Sequence, residues 1–203
     1  MTNNFEYIIS SLPFLTTDFK YAEGQGFGQV IEEIQENLSR KDGATLEFLL
    51  KGFQESELTP EFYTEALKYG QSFIQAYFNF DMNLRNAKVR FLNRQLGRAA
   101  EQDVMQLSEE EVEFEQLAGV EAALAEGDLL SREKALDDLV WAYVDELSIF
   151  HYFDLTAVLA YVVKLHIVNR WLALDEEKGR SLFKQLVEEV RSSYSKEKIT
   201  QTI

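Results

Sequence analysis

His151 and His166 are the only imidazoles in a sequence of 203 residues that contains no cysteine. Disulfides and thiolate metal sites are therefore excluded at the outset. A carboxylate-bridged metal pair inside a helical bundle needs a Glu-x-x-His pair on each of two helices. Ser148 stands three residues before His151 and Val163 three before His166, so neither histidine completes such a pair. A nucleophilic serine needs a positioned base, and neither histidine lies in a motif that supplies one. His166, among Val162, Val163 and Leu165, reads as a core-edge histidine with one hydrogen-bond partner. His151, between Phe150 and Tyr152, reads as a helix-end residue that suits the negative pole of the dipole. Gly24, Gly26 and Gly28 have the look of a phosphate-cradling loop, but no lysine follows and no strand precedes. That segment reads as a linker. The expectation is a protein with no catalytic, metal or cofactor-binding residues.

Charge offers a different candidate. Arg85, Lys88, Arg90, Arg94 and Arg98 occur with no acid among them, and the last three arginines, spaced by four, share one helix face. Glu109, Glu110, Glu111, Glu113 and Glu115 follow shortly afterwards. One reading is an antiparallel hairpin in which these opposite charges meet, each exposed pair contributing roughly 0.2–1 kcal/mol. The other is that the basic face docks an acidic partner protein. Such a stand-alone interaction adaptor is the alternative functional class, and an enzyme of an unassigned bundle type is a third.

The elements that must carry these residues are helical. Hydrophobic residues make up 46% of the chain, enough for a core, and two prolines interrupt it, Pro13 and Pro60. Helical spacing of apolar residues predicts a first helix ended by Pro13, a loop over 16–28, and a helix carrying Val30, Ile31, Ile34 and Leu38. Asp42-Gly43 signals a turn before a short helix over 45–53. Thr59-Pro60-Glu61 is a helix start, cap followed by proline followed by acid, and that helix is expected to reach about 79. Another is expected over 81–105, burying Leu84, Val89, Phe91, Leu92 and Leu96, with a bend at Gly97. A capping box at Ser108–Glu111 opens the next, ending near Gly127. Ser131 opens one whose broad apolar face holds Leu136, Leu139, Val140, Tyr143, Val144 and Leu147. Asp154 or Thr156 caps the most apolar helix, expected to reach about 174, and a last helix covers 175–194. Phe73, Tyr77, Phe80 and Phe91 are expected in the core. The fold class is all-α, an elongated bundle of about seven to eight helices. It forms a single domain over 1–203, with lobes 1–105 and 106–203 as the possible subdivision.

The formal net charge of −15 disfavours nucleic acid and anionic lipid surfaces as partners. The first ten residues lack the basic start of a secretory signal. The most apolar stretch, 155–168, is shorter than a bilayer span and contains Lys164 and His166. Direct membrane insertion is not expected, and the expected location is cytoplasmic.

Phe80-Asp81-Met82-Asn83-Leu84 and Phe153-Asp154-Leu155 each read as a Phe-Asp cap feeding an apolar helix. The first stretch, with Asp81, Leu84, Arg90 or Arg94, Leu96 and Gly97, resembles a segment of the C-type subunit of V-type ATPases, known in eukaryotes as the d subunit; Asn83 sits one place early. The second resembles that family's closing segment through Val158–Tyr161, with Tyr161 in the helix and Asn169-Arg170 after it. The opening residues 7–13 are similar to the start of a bacterial family that accompanies V-type ATPase subunits. The three segments cover about a third of the chain. Members of the C-type family are non-catalytic helical sockets between the central shaft and the membrane ring, and they are longer, with three similar lobes. The resemblance implies a reduced socket or an assembly factor, peripheral to the membrane through other V-type subunits.

Overall fold

The computed structural model describes residues 4–17, 26–107 and 114–174. Among these residues it contains eight α-helices and no β-strand, as the periodicity predicts. In chain order they are α1 (Phe5–Ser11), α2 (Phe27–Asn37), α3 (Arg40–Lys51), α4 (Pro60–Leu67), α5 (Ser72–Gln95), α6 (Leu117–Leu124), α7 (Leu129–Ser148) and α8 (Leu155–Leu172), with a 3-10 turn at Glu55–Glu57. The capping box at 108–111 and the last expected helix, 175–194, lie outside the described residues.

Several boundaries differ from the local reading, each for a visible reason. Asp42-Gly43 lies inside the first turn of α3 rather than before it. Ser39 is the cap: its Oγ accepts from the Asp42 amide at 3.2 Å and donates to the Asp42 carboxylate at 2.8 Å. The helix begun at Pro60 stops at Leu67, because Gln71 restarts the chain in an extended conformation with its own side-chain oxygen accepting from the Phe73 amide. Helix α5 then runs unbroken through Asp81 to Gln95, so Asp81 is not a cap. Gly97 does not bend that helix but ends it: at φ +67° it takes the left-handed conformation, and the Arg98 amide donates back to the Asn93 carbonyl at 2.8 Å. Asp128, not Ser131, caps α7, accepting from the Ser131 amide at 2.8 Å. Asp154 caps α8 through the Ala157 amide at 3.1 Å.

The apolar side chains form two adjoining cores. The larger joins α1–α5 with α7 and α8, around Ile34, Leu46, Leu49, Tyr63, Ile74, Phe78, Val144 and Leu159. The smaller joins α5, α6 and α7 through Phe80, Leu84, Ala87, Val120, Ala123, Leu124 and Leu136. Both therefore draw on residues from each side of position 105. Phe73, Tyr77 and Phe80 are buried as expected and Phe91 is half-buried, but Leu92 and Leu96 are exposed. Asn86, Ala87 and Asn93 take the buried positions on that part of α5 instead. The Asn86 side chain donates to the Met105 carbonyl at 2.8 Å and accepts from its amide at 2.9 Å, while Asn93 donates to the Ala100 and Gln102 carbonyls. Two asparagines thus fold the segment after α5 back onto the helix, where unpaired amides would be costly.

Helix α8 is the central element. It packs against α1, α2, α3 and α7 and buries Val158, Leu159, Val162, Val163, Leu165, Ile167 and Val168 among others. Each fully buried aliphatic contributes about 1.5–3 kcal/mol of hydrophobic free energy. At 18 residues the helix outruns the 155–168 apolar stretch and is long and apolar enough to cross a bilayer by length and composition. Half of it is buried within the fold.

Candidate functional site

Three polar clusters and one exposed apolar turn are the features that could act. In the first cluster, α4 and α5 meet where the Tyr63 hydroxyl donates to Asp81 Oδ2 at 2.5 Å and Arg85 Nε donates to the same oxygen at 2.9 Å. Burial, then the Asp81 charge, raises the Tyr63 hydroxyl above its ordinary pKa. Burial opposes the Arg85 charge, but Asp81 and Tyr63 hold the guanidinium above its ordinary value. Each group satisfies another, so the cluster fastens two helices and leaves no poised acid or base.

The second cluster fastens α7 to α8. Asp137 is buried, and its Oδ2 accepts from Arg170 and, at 2.6 Å, from the Trp171 indole; Glu133 stands 4.0 Å from Arg170. Burial raises the Asp137 carboxyl, against the opposing pull of Arg170 and Trp171. The third lies along α7. An open groove of about 410 Å³ is lined by Thr17, Lys134, Asp138, Trp141, Ala142 and Asp145. Its polar groups are paired with one another: Lys134 donates to Asp138 at 2.8 Å, and Lys164 pairs with Asp145 while lying over the Trp141 ring.

The basic face of α5 is distributed over internal acids. Arg90 makes a bidentate bond to Glu101 at 2.8–3.1 Å, Arg94 reaches Glu121 on α6 at 2.8 Å, and Arg85 is held by Asp81. Charges do meet between α5 and α6, but through Glu121; Glu109–Glu111 and Glu113 lie outside the described residues, and Glu115 is exposed. Lys88 and Arg98 form no ion pair among the described residues. The remaining residues singled out by sequence each take a structural position. Leu84 is buried in the smaller core, and the Tyr161 hydroxyl donates to the Pro13 carbonyl at 2.8 Å, tying α8 to the exit of α1.

The histidines sit apart. The His166 ring stacks on Phe53 with centroids 4.1 Å apart and meets the edge of Phe27, so an aromatic sandwich stands where a hydrogen-bond partner is expected. Burial lowers its pKa to about 4. His151 lies in the turn after α7, and its Nδ1 contacts Asp154 Oδ2 at 2.5 Å, so it supports the cap of α8. Among the described residues no three His, Asp or Glu side chains are grouped to hold a metal ion.

Two features escape helical periodicity. Asp137 and Trp141 both face inward on α7, although period-3.6 reasoning places only the aliphatic and tyrosine positions there. The turn Ile149–Phe153 exposes four large apolar side chains. The signal for that turn was present: an apolar run where a connection between a helix end and the Asp154 cap is ordinarily polar.

No curated protein and no solved structure matches the chain. A family model does match it, over residues 51–194, a span from the end of α3 through α8 and beyond. The chain belongs to the family described as Protein of unknown function (DUF2764).

Proposed function

We propose that the protein is a non-catalytic subunit or assembly factor of a bacterial V-type rotary ATPase, working at the membrane through other subunits rather than through lipid. The observation that carries this reading is the use made of the residues that resemble the C-type socket family. Asp81 joins α5 to α4 through Tyr63, Arg170 joins α8 to α7 through Asp137, Tyr161 joins α8 to the end of α1, and Asp154 caps α8. The first three are ties between elements, and the fourth fixes the start of α8. A component that transmits or withstands torque needs a body whose helices do not slide past one another, and closely packed interiors carry strain in that way. The first two resembling stretches, around 80–97 and 153–170, also lie inside the span that defines the family.

The test is a native affinity purification of the tagged protein from its own organism. Enrichment of V-type shaft and ring subunits supports the reading. Recovery of the tagged protein with none of them enriched refutes it.

A further inference from the structure

Ile149, Phe150, Tyr152 and Phe153 are 61%, 83%, 69% and 58% exposed, four large apolar side chains within five residues at the α7–α8 turn. Aromatic side chains present roughly 150–250 Å² apiece. The turn therefore shows on the order of 500 Å² of apolar surface within five residues, in the range of the largest and often functional patch on a monomer.

The turn is also held in shape. Ser148 Oγ donates to the Val144 carbonyl, the His151 amide donates to the Ser148 carbonyl, and His151 and Asp154 are in contact across the turn. Behind it Gln71, in the α4–α5 connection, donates to Thr156 in the first turn of α8 at 3.1 Å. Rigid aromatics on a pinned turn lose little conformational entropy on docking, which favours their use as anchors.

The rim of the patch selects among occupants. Glu146, in the last turn of α7, is exposed, Asp145 beside it is exposed though paired with Lys164, and Asp154 follows the patch directly. Anionic head groups are repelled by that rim and by the net charge of −15. A second copy meeting this one patch to patch about a two-fold axis would bring two acidic rims together. A protein surface with an apolar socket and a basic rim suits both features.

Resting on the function proposed above, we infer that the α7–α8 turn is the plug by which this protein docks onto another V-type ATPase subunit, through an apolar socket rimmed by lysine or arginine. The experiment repeats the native purification with Phe150→Asp/Phe153→Asp, with Glu146→Lys, and with Leu130→Asp as a control at an exposed leucine remote in sequence from the turn. Unchanged melting temperatures establish that each variant is folded. The inference expects wild type and Leu130→Asp to recover V-type subunits, the double variant to lose them by tenfold or more, and Glu146→Lys to lose them several-fold. Retention by the double variant overturns the plug while leaving the functional reading in place. Recovery of no V-type subunit by wild type overturns both. Two further outcomes overturn the partner assignment. One is a dimer in light scattering that the double variant abolishes; the other is flotation with neutral phosphatidylcholine vesicles that it abolishes.

Discussion

Substituting Gly52 by alanine tests the packing of the larger core at one atom. Gly52 follows α3 with φ −67° and ψ −8°, a conformation open to any residue, so backbone strain does not enter. A Cβ at this position would stand 2.2 Å and 2.3 Å from Cζ and Cε1 of Phe78 and 3.0 Å from Cζ of Phe62. Ordinary carbon–carbon contact is about 3.5–4.0 Å, so the Phe78 ring must move by more than about 1 Å. It has nowhere to go: Phe78 is fully buried, with Phe62 and Tyr77 at centroid distances of 4.9 and 5.1 Å and Phe48 at 6.1 Å. Overpacking of this kind costs about 1–3 kcal/mol, and the tight enclosure places it at the upper end. The loss of unfolded-state freedom returns about 0.4–1 kcal/mol. Gly52→Ala is therefore expected to destabilise by about 2 kcal/mol, lowering the melting temperature by roughly 4–8 °C for a chain of this size. Gly43→Ala is the matched control, since Gly43 lies in α3 with nothing within 4 Å of its would-be Cβ. It should stabilise by about 0.5–1 kcal/mol. Urea and thermal unfolding followed by circular dichroism measure both, and equal effects in the two variants would refute the packing argument.

His166 gives a pH prediction. Its folded pKa is depressed from 6.5 to about 4 by burial, so its contribution is present above 6.5 and is lost as pH falls toward 4, where the unfolded chain takes a proton that the folded one refuses. His166→Phe, which keeps a ring against Phe53, should remove about 2–3 kcal/mol of that acid-side loss, read as the difference between the two stability–pH curves. Parallel curves between pH 7 and pH 4 count against a neutral, half-buried imidazole. Leu159→Ala should cost about 2–5 kcal/mol in chemical denaturation, because Leu159 is completely buried on α8; a cost under about 0.5 kcal/mol contradicts that placement. Asn86→Ala leaves the Met105 amide and carbonyl without their partner and should cost about 1–3 kcal/mol, with faster limited proteolysis in 97–107; an unchanged cleavage rate contradicts the clasp.

Helix existence was legible wherever apolar spacing ran long enough, as it does from Val30 to Leu38 and from Leu155 to Val168. Capping at Asp154 and Thr59 was legible too, because each side chain bonds an amide within three residues. Asp81 shows where local reading stops. It has the same Phe-Asp-x context as Asp154, yet α5 is already nine residues long when it arrives, and its decisive partner, Tyr63, is 18 residues back in the chain. Leu92 and Leu96 failed as core positions for a related reason. The buried face there is set by Asn86 and Asn93 gripping the returning segment, and polar residues serving backbone carbonyls leave no apolar pattern. Of the three arginines expected on one helix face, Arg90 and Arg94 do share a side of α5, but Arg98 lies past the helix, which ends at Gln95 before the left-handed Gly97, and which acids the first two meet depended on the return of residues 100–101 and the position of α6.

We propose above that this chain is a non-catalytic subunit or assembly factor of a V-type rotary ATPase. The most direct measurement is the assembly state and coupled activity of the V-type complex in membranes from cells lacking the protein. On that claim the intact complex falls to a small fraction of its normal amount in native gels, ATP-driven ion transport falls with it, and re-expression restores both. A full-sized complex with unimpaired transport in the absence of the protein would contradict it.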